Sequence, residues 1–184
     1  MRCQTSVYHP FPDSNAVWGG IFWFPLSQGT EVSYAAIGDT LITNVIYKKI
    51  RIFSFPATNI CTNMIYCPEN IALIREDSLT RKVFVRNPLN DSDTLLYDFS
   101  LAVNDTLQSA ITEGALVTVI KVDSILIGNN YRKKLNLKIS FGWTDTSIFL
   151  IEGIGSSIGL LESLGSGGGC DYHSNWFCLN DTLL

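Results

Sequence analysis

No stretch of about 18 uninterrupted apolar residues occurs in this chain, so no segment reads as a membrane-spanning helix. Charge is sparse, at 16% of residues, and slightly acidic, with a net charge of −4 and a pI near 5.1. That excludes a domain-wide basic field, and with it duplex nucleic acid as a partner. Histidine occurs twice, as His9 and His173, and no two cysteines are spaced Cys-x-x-Cys. Zinc and other metals are therefore not expected, and no cofactor motif appears. The glycine-rich "GSGGG" is followed by no Gly-Lys-Ser/Thr, so it is not a phosphate loop. Sustained helical periodicity is missing as well. What remains is an apolar chain of 184 residues, 46% hydrophobic, long enough to bury one sizeable core and too apolar for disorder.

The signal that is present is β. From Tyr131, the residues Tyr131, Lys133, Leu135, Leu137, Ile139 and Phe141 alternate with Arg132, Lys134, Asn136, Lys138 and Ser140. Period-two alternation marks a half-buried strand, with Lys133 expected to snorkel near its start. "TLLYDFSL" alternates too, placing Leu95, Tyr97, Phe99 and Leu101 on one face. "ALVTVIKVDSILI" is rich in β-branched residues and predicts a long, largely buried strand. "VIYKKIRIF", "KVFVRN", "SIFLIE" and "VWGGIFWF" are further candidates, with Gly19 and Gly20 marking a bulge or close approach. Short helices are allowed at "GLLESL" and "DTLQSAITEG". Short strands with short turns predict an all-β fold, built from antiparallel hairpins into a sandwich or open barrel. Residues 1–15 read as an N-terminal extension and residues 16–184 as a single β-rich domain.

Two phrases nearly repeat: "DTLITNVIYKK" from Asp39 and "DSILIGNNYRKK" from Asp123. Each predicts a hairpin, turning at Asn44 or Gly128 and leaving along a strand near Tyr47 or Tyr131, two residues with structural roles. The Asp-Ser/Thr dipeptide recurs elsewhere in the chain, and its side chains bond nearby backbone groups at turns. It needs no metal to explain it. The basic clusters at Lys48–Lys49 and Arg132–Lys134 read as solvated strand faces that discourage edge pairing.

Several constellations carry candidate chemistry. Gly155-Ser156-Ser157-Ile158-Gly159 fits the Gly-x-Ser-x-Gly elbow, with Ser157 as nucleophile, His173 as base and Asp171 as orienter. Against it, that elbow belongs to a parallel sheet with crossover helices, which this chain does not predict. Glu152, with Glu76 and Asp77, offers a carboxylate pair for glycoside hydrolysis. The structural alternative pairs Glu152 with Arg75 or Arg132 inside the fold. The two differ visibly: an acid/base pair faces a cleft, and a structural pair is buried with its arginine. Trp143 and Trp176 lie in polar, loop-like contexts and suit a sugar-stacking platform. The cysteines Cys61 with Cys67, and Cys170 with Cys178, are spaced as two local disulfides, with buried thiols as the alternative.

"IGDTLITNVIYKKI", "ALIREDSLTRKVFVRN", "LLYDFSLAVNDTL", "VDSILIGNNYRKKLNL", "IEGIGSSIGLLESL" and "FCLNDTLL", in this order, resemble a group of secreted β-rich proteins of Bacteroidota. Those proteins commonly carry a signal peptide and a C-terminal type IX secretion sorting domain. The resemblance implies a secreted or cell-surface location and no particular reaction. The first 18 residues show no apolar run or cleavage site, so either the protein is cytosolic or this chain lacks its export signal, as the resemblance implies. The leading functional expectation is a non-catalytic surface or adhesion module that binds an extracellular glycan or protein. A secreted hydrolase and a structural spacer are the alternatives.

Overall fold

The computed structural model describes residues 7–23, 30–55, 71–87, 90–140, 148–164, 171–179 and 182–183. They form one all-β, sandwich-like domain of two antiparallel sheets, with one sheet curled into a half-barrel. The expected fold class therefore holds.

The larger sheet takes β1 (Ser14–Trp23), β2 (Thr30–Ile42), β3 (Val45–Phe55), β4 (Ile71–Asp77), β5 (Lys82–Asn87), β6 (Ser92–Asp98), β12 (Asp171–Leu179) and β13 (Thr182–Leu183). Its order is β13-β12-β1-β2-β3-β4-β5-β6. The smaller sheet takes β7 (Thr106–Leu107), β8 (Leu116–Ile127), β9 (Asn130–Ser140), β10 (Ile148–Ile151) and β11 (Gly155–Ser156), in the order β11-β10-β9-β8-β7.

One contiguous core lies between the sheets. Ile50, Ile74, Val83 and Leu96 reach in from the larger sheet, and Val119, Leu135, Leu137 and Leu150 from the smaller. Each such side chain contributes about 1.5–3 kcal/mol relative to an exposed one. The chain before β1 belongs to this core. Phe11 is buried and stacks on Tyr97, with ring centroids 6.0 Å apart and planes 5° from parallel. The domain thus begins earlier than the expected boundary at residue 16.

Both near-repeats are hairpins, one in each sheet. β2 and β3 turn through Thr43 and Asn44, both at positive φ (45° and 65°), as a type I′ turn requires. β8 and β9 turn through Gly128 and Asn129, where glycine supplies the positive φ of 58°. Each incoming strand also carries a register shift, between Ala36 and Asp39 and between Val119 and Lys121. The expected irregularity at Gly19–Gly20 appears where the β1–β12 register shifts between Gly20 and Ile21.

Four local expectations are corrected. β8 is not largely buried: Leu116, Ile120 and Leu126 are exposed, because the smaller sheet keeps its outer face in water. "TLLYDFSL" does not alternate simply. β6 places Tyr97 opposite Val83 and Leu95 opposite Phe84, so Leu96 is an extra residue and turns into the core beside Tyr97. "GLLESL" is not a helix but a turn that buries Leu160, Leu161, Glu162 and Leu164. "DTLQSAITEG" likewise contains only the two-residue β7 and turns, and no helix occurs among the described residues.

Candidate functional site

A cavity of about 390 Å³ opens where the tip of the β8–β9 hairpin overhangs β1 and the far end of β12. Ile125, Leu126 and Ile127 form one wall, Trp18 and Phe177 another, and Phe149 with Ile151 a third. Trp18 and Phe177 hold each other at 5.2 Å between ring centroids. The Trp18 indole N–H donates to the Ile154 carbonyl at 2.7 Å, which fixes the ring across the two sheets. Lys134 sits with its Nζ 3.8 Å above the Phe149 ring.

The Gly-x-Ser-x-Gly motif forms the remaining side of this cavity, through Gly155, Ser156, Ser157 and Gly159. It is not a strand-to-helix elbow. It spans the two-residue β11 and the turn that follows, where the Ser157 N–H donates to the Phe149 carbonyl at 2.9 Å and the Ser157 Oγ accepts the Phe149 N–H at 3.1 Å. The glycines have a packing reason. At Gly159, with φ of 144°, a Cβ would overlap the Glu162 carboxyl group, and at Gly155 it would sit 3.0 Å from the Tyr97 hydroxyl. Asp171 and His173 pair on β12 with Trp23 and Ile21, and their side chains lie outside the described residues. Phe177 is the β12 residue lining the cavity, and His173 is about 13 Å farther along the strand.

The carboxylates are placed elsewhere, beneath the chain that precedes β1. Glu152 is 0% exposed, immediately after β10. Its expected partners are corrected: Arg75 pairs with Asp93 and lies 4.0 Å over the Phe84 ring, while Arg132 donates to the Glu152 main-chain carbonyl at 3.1 Å. The cation nearest the Glu152 carboxylate is Arg81, at 3.9 Å. No hydrogen bond of good geometry reaches either Glu152 oxygen, although the main-chain N–H groups of His9 and Lys133 stand near enough to favour its charge. Desolvation pushes its pKa up, with Arg81 opposing. Glu76 accepts from the Tyr8 hydroxyl at 2.7 Å and from the Phe11 N–H at 3.0 Å, and Lys48 stands 3.9 Å away. Burial raises the Glu76 pKa too, and the charge of Glu152 adds to that rise. Glu76 and Glu152 are thus electrostatic neighbours, enclosed with their cations rather than facing a cleft. Asp77 is spent on the β4–β5 turn, accepting the Leu79 N–H at 3.0 Å.

Lys133 does not snorkel. It is 8% exposed, and its ammonium donates to the carbonyls of Phe99 at 2.7 Å and Leu101 at 2.8 Å. Desolvation lowers its pKa. Tyr47 is buried and donates to Asp93 at 3.0 Å, whereas Tyr131 is 50% exposed. Trp143, Cys61, Cys67 and Cys170 lie outside the described residues, as does the Trp176 side chain. Cys178 is a free thiol, which sets aside its expected bond with Cys170. The extended β12 holds Cys178 about 23 Å from Asp171, and a disulfide needs Cα atoms within about 7 Å.

One buried acid escaped the sequence reading. Glu162 accepts from the Tyr34 hydroxyl and from the Leu161 N–H at 2.9 Å, and burial pushes its pKa up to about 7. Among the described residues no three His, Cys, Asp or Glu side chains gather as metal ligands, and no helix is long and apolar enough to cross a membrane. No protein-family model matches the chain, and neither a curated protein nor a solved structure matches it significantly.

Proposed function

We propose that this protein is a non-catalytic binding module whose ligand occupies the cavity between the β8–β9 tip and β1. The cavity carries the reading: it is preformed, walled by three aromatic rings, and within the size range of small-ligand sites. The resemblance to secreted Bacteroidota proteins supports a surface or extracellular setting, with adhesion or ligand capture as the task. Ile127→Trp fills the cavity from the exposed hairpin. A glycan array, peptide panel and small-molecule library, screened with native protein and this variant, test the proposal. Binding lost in the variant at unchanged melting temperature supports it, and binding equal in both refutes it.

A second reading keeps the hydrolase, because Ser157 lines the cavity. Ester turnover by native protein that disappears in Ser157→Ala would favour it. The Ser157 Oγ accepting a main-chain N–H at 3.1 Å argues for a structural serine instead.

A further inference from the structure

We infer that the cavity selects an electrically neutral, apolar and flat molecule, and rejects sugars and charged metabolites. The inference rests on the cavity being the binding site, and it adds the chemical class of the ligand.

The first ground is charge. Among the described residues lining the cavity there is no Asp, Glu, Lys, Arg or His. A charged ligand entering it would shed water and meet no counter-ion. Lys134 does not supply one, because its ammonium packs on the Phe149 ring rather than lining the cavity.

The second ground is hydrogen bonding. Many of the lining's polar atoms already take part in hydrogen bonds within the protein. The Trp18 N–H is taken by Ile154, the Ser156 N–H by the Tyr97 hydroxyl at 3.3 Å, and the Ser157 N–H by Phe149. The Ser156 Oγ accepts from Ile158 at 3.1 Å, and the Ser157 Oγ accepts from Phe149. A sugar carries a hydroxyl on most of its carbons. Most of these would be buried here without partners, each costing about 1–3 kcal/mol.

The third ground is shape. Trp18, Phe149 and Phe177 bring three aromatic rings to the lining, and Gly19, Gly155 and Gly159 add no side chain to it. Flat molecules gain most from close approach to rings and bare backbone.

A matched pair of dyes tests this: N-phenyl-1-naphthylamine, which is neutral, and its 8-sulfonate, which has the same rings and one negative charge. Fluorescence titration of native protein should show saturable binding of the neutral dye, about tenfold or more tighter than the sulfonate. Ile127→Trp should weaken the neutral dye by about tenfold or more, through steric occupation of the site. Ile125→Phe serves the same purpose should the first variant not fold. Leu41→Ser/Ile46→Ser, at the exposed tip of the other hairpin, should leave binding unchanged. Equal affinity for the two dyes would overturn the inference. Failure of the neutral dye, alongside a glycan whose binding Ile127→Trp abolishes, would overturn the ligand class and leave the binding module standing. Neutral-dye binding that neither cavity variant alters would remove the site, and both readings with it.

Discussion

The two hairpins written with nearly the same residues are put to opposite uses. β2–β3 ends in a tip whose cross-strand neighbours Leu41 and Ile46 are 65% and 64% exposed. β8–β9 ends in a tip whose aliphatic residues wall the cavity. Their tyrosines part company as well. Tyr47 is the third residue after its turn and Tyr131 the second after its own, so the pleat sends them to opposite faces. Counted from the turn, the equivalents are Lys48 and Lys133, both fourth. Lys48 reaches Asp13 and Glu76, and Lys133 reaches two main-chain carbonyls. Position relative to the turn, not likeness of wording, decides what a residue does.

That comparison can be pressed hardest at the lysines. Lys133→Ala removes the donor from two carbonyls and takes a cation from the surroundings of Glu152. It should cost about 3–5 kcal/mol in urea unfolding, the range for breaking a buried charged network. Lys48→Ala, at a less enclosed site with a partly exposed partner, should cost about 1 kcal/mol. Equal losses would erase the distinction between the hairpins.

The second test is acid stability, which touches β2 through Tyr34. The Glu162 pKa stands at about 7 in the folded protein, against an ordinary value of 4.5. A raised pKa means that the folded state binds the proton more tightly. The associated stability, roughly 3 kcal/mol, is therefore full below about pH 4.5 and lost as pH rises toward 7. Urea midpoints should fall more steeply over that window in native protein than in Glu162→Gln. Parallel curves would mean that Glu162 does not carry the proton.

Smaller effects separate the tyrosines and the turns. Tyr47→Phe forfeits the hydrogen bonds to Asp93 and should cost about 1–2 kcal/mol, while Tyr131→Phe should stay within about 0.5 kcal/mol by thermal unfolding. Gly128→Ala should cost about 1 kcal/mol, because the turn needs its positive φ, and Asn44→Gly should change little.

Much of the fold was legible because its determinants are local. Thr43-Asn44 and Gly128-Asn129 announce their turns, and the run after Tyr131 alternates as a half-buried strand does. The bulge at Leu96 was not legible, since it depends on how β6 meets β5. The cavity was illegible for the same reason, because β1, β8, β10 and β12 each contribute only part of it. Ser157 was noticed, but its flanking glycines answer to Glu162 and Tyr97, which no sequence window brings beside them. Glu152 was read as an acid needing Arg75 or Arg132, and neither of these meets its carboxylate. The arginine proved to be Arg81, on the turn before β5.

The placement of β1 bears on how the molecule is made. β1 lies between β2 and β12, so it is synthesised well before β12 and waits for that strand before both of its edges are paired. Until then it presents a bare row of amides and carbonyls beside an uncovered Trp18. Folding must await a closure spanning nearly the whole sequence, which makes it slow and leaves nascent or prematurely ended chains prone to clump.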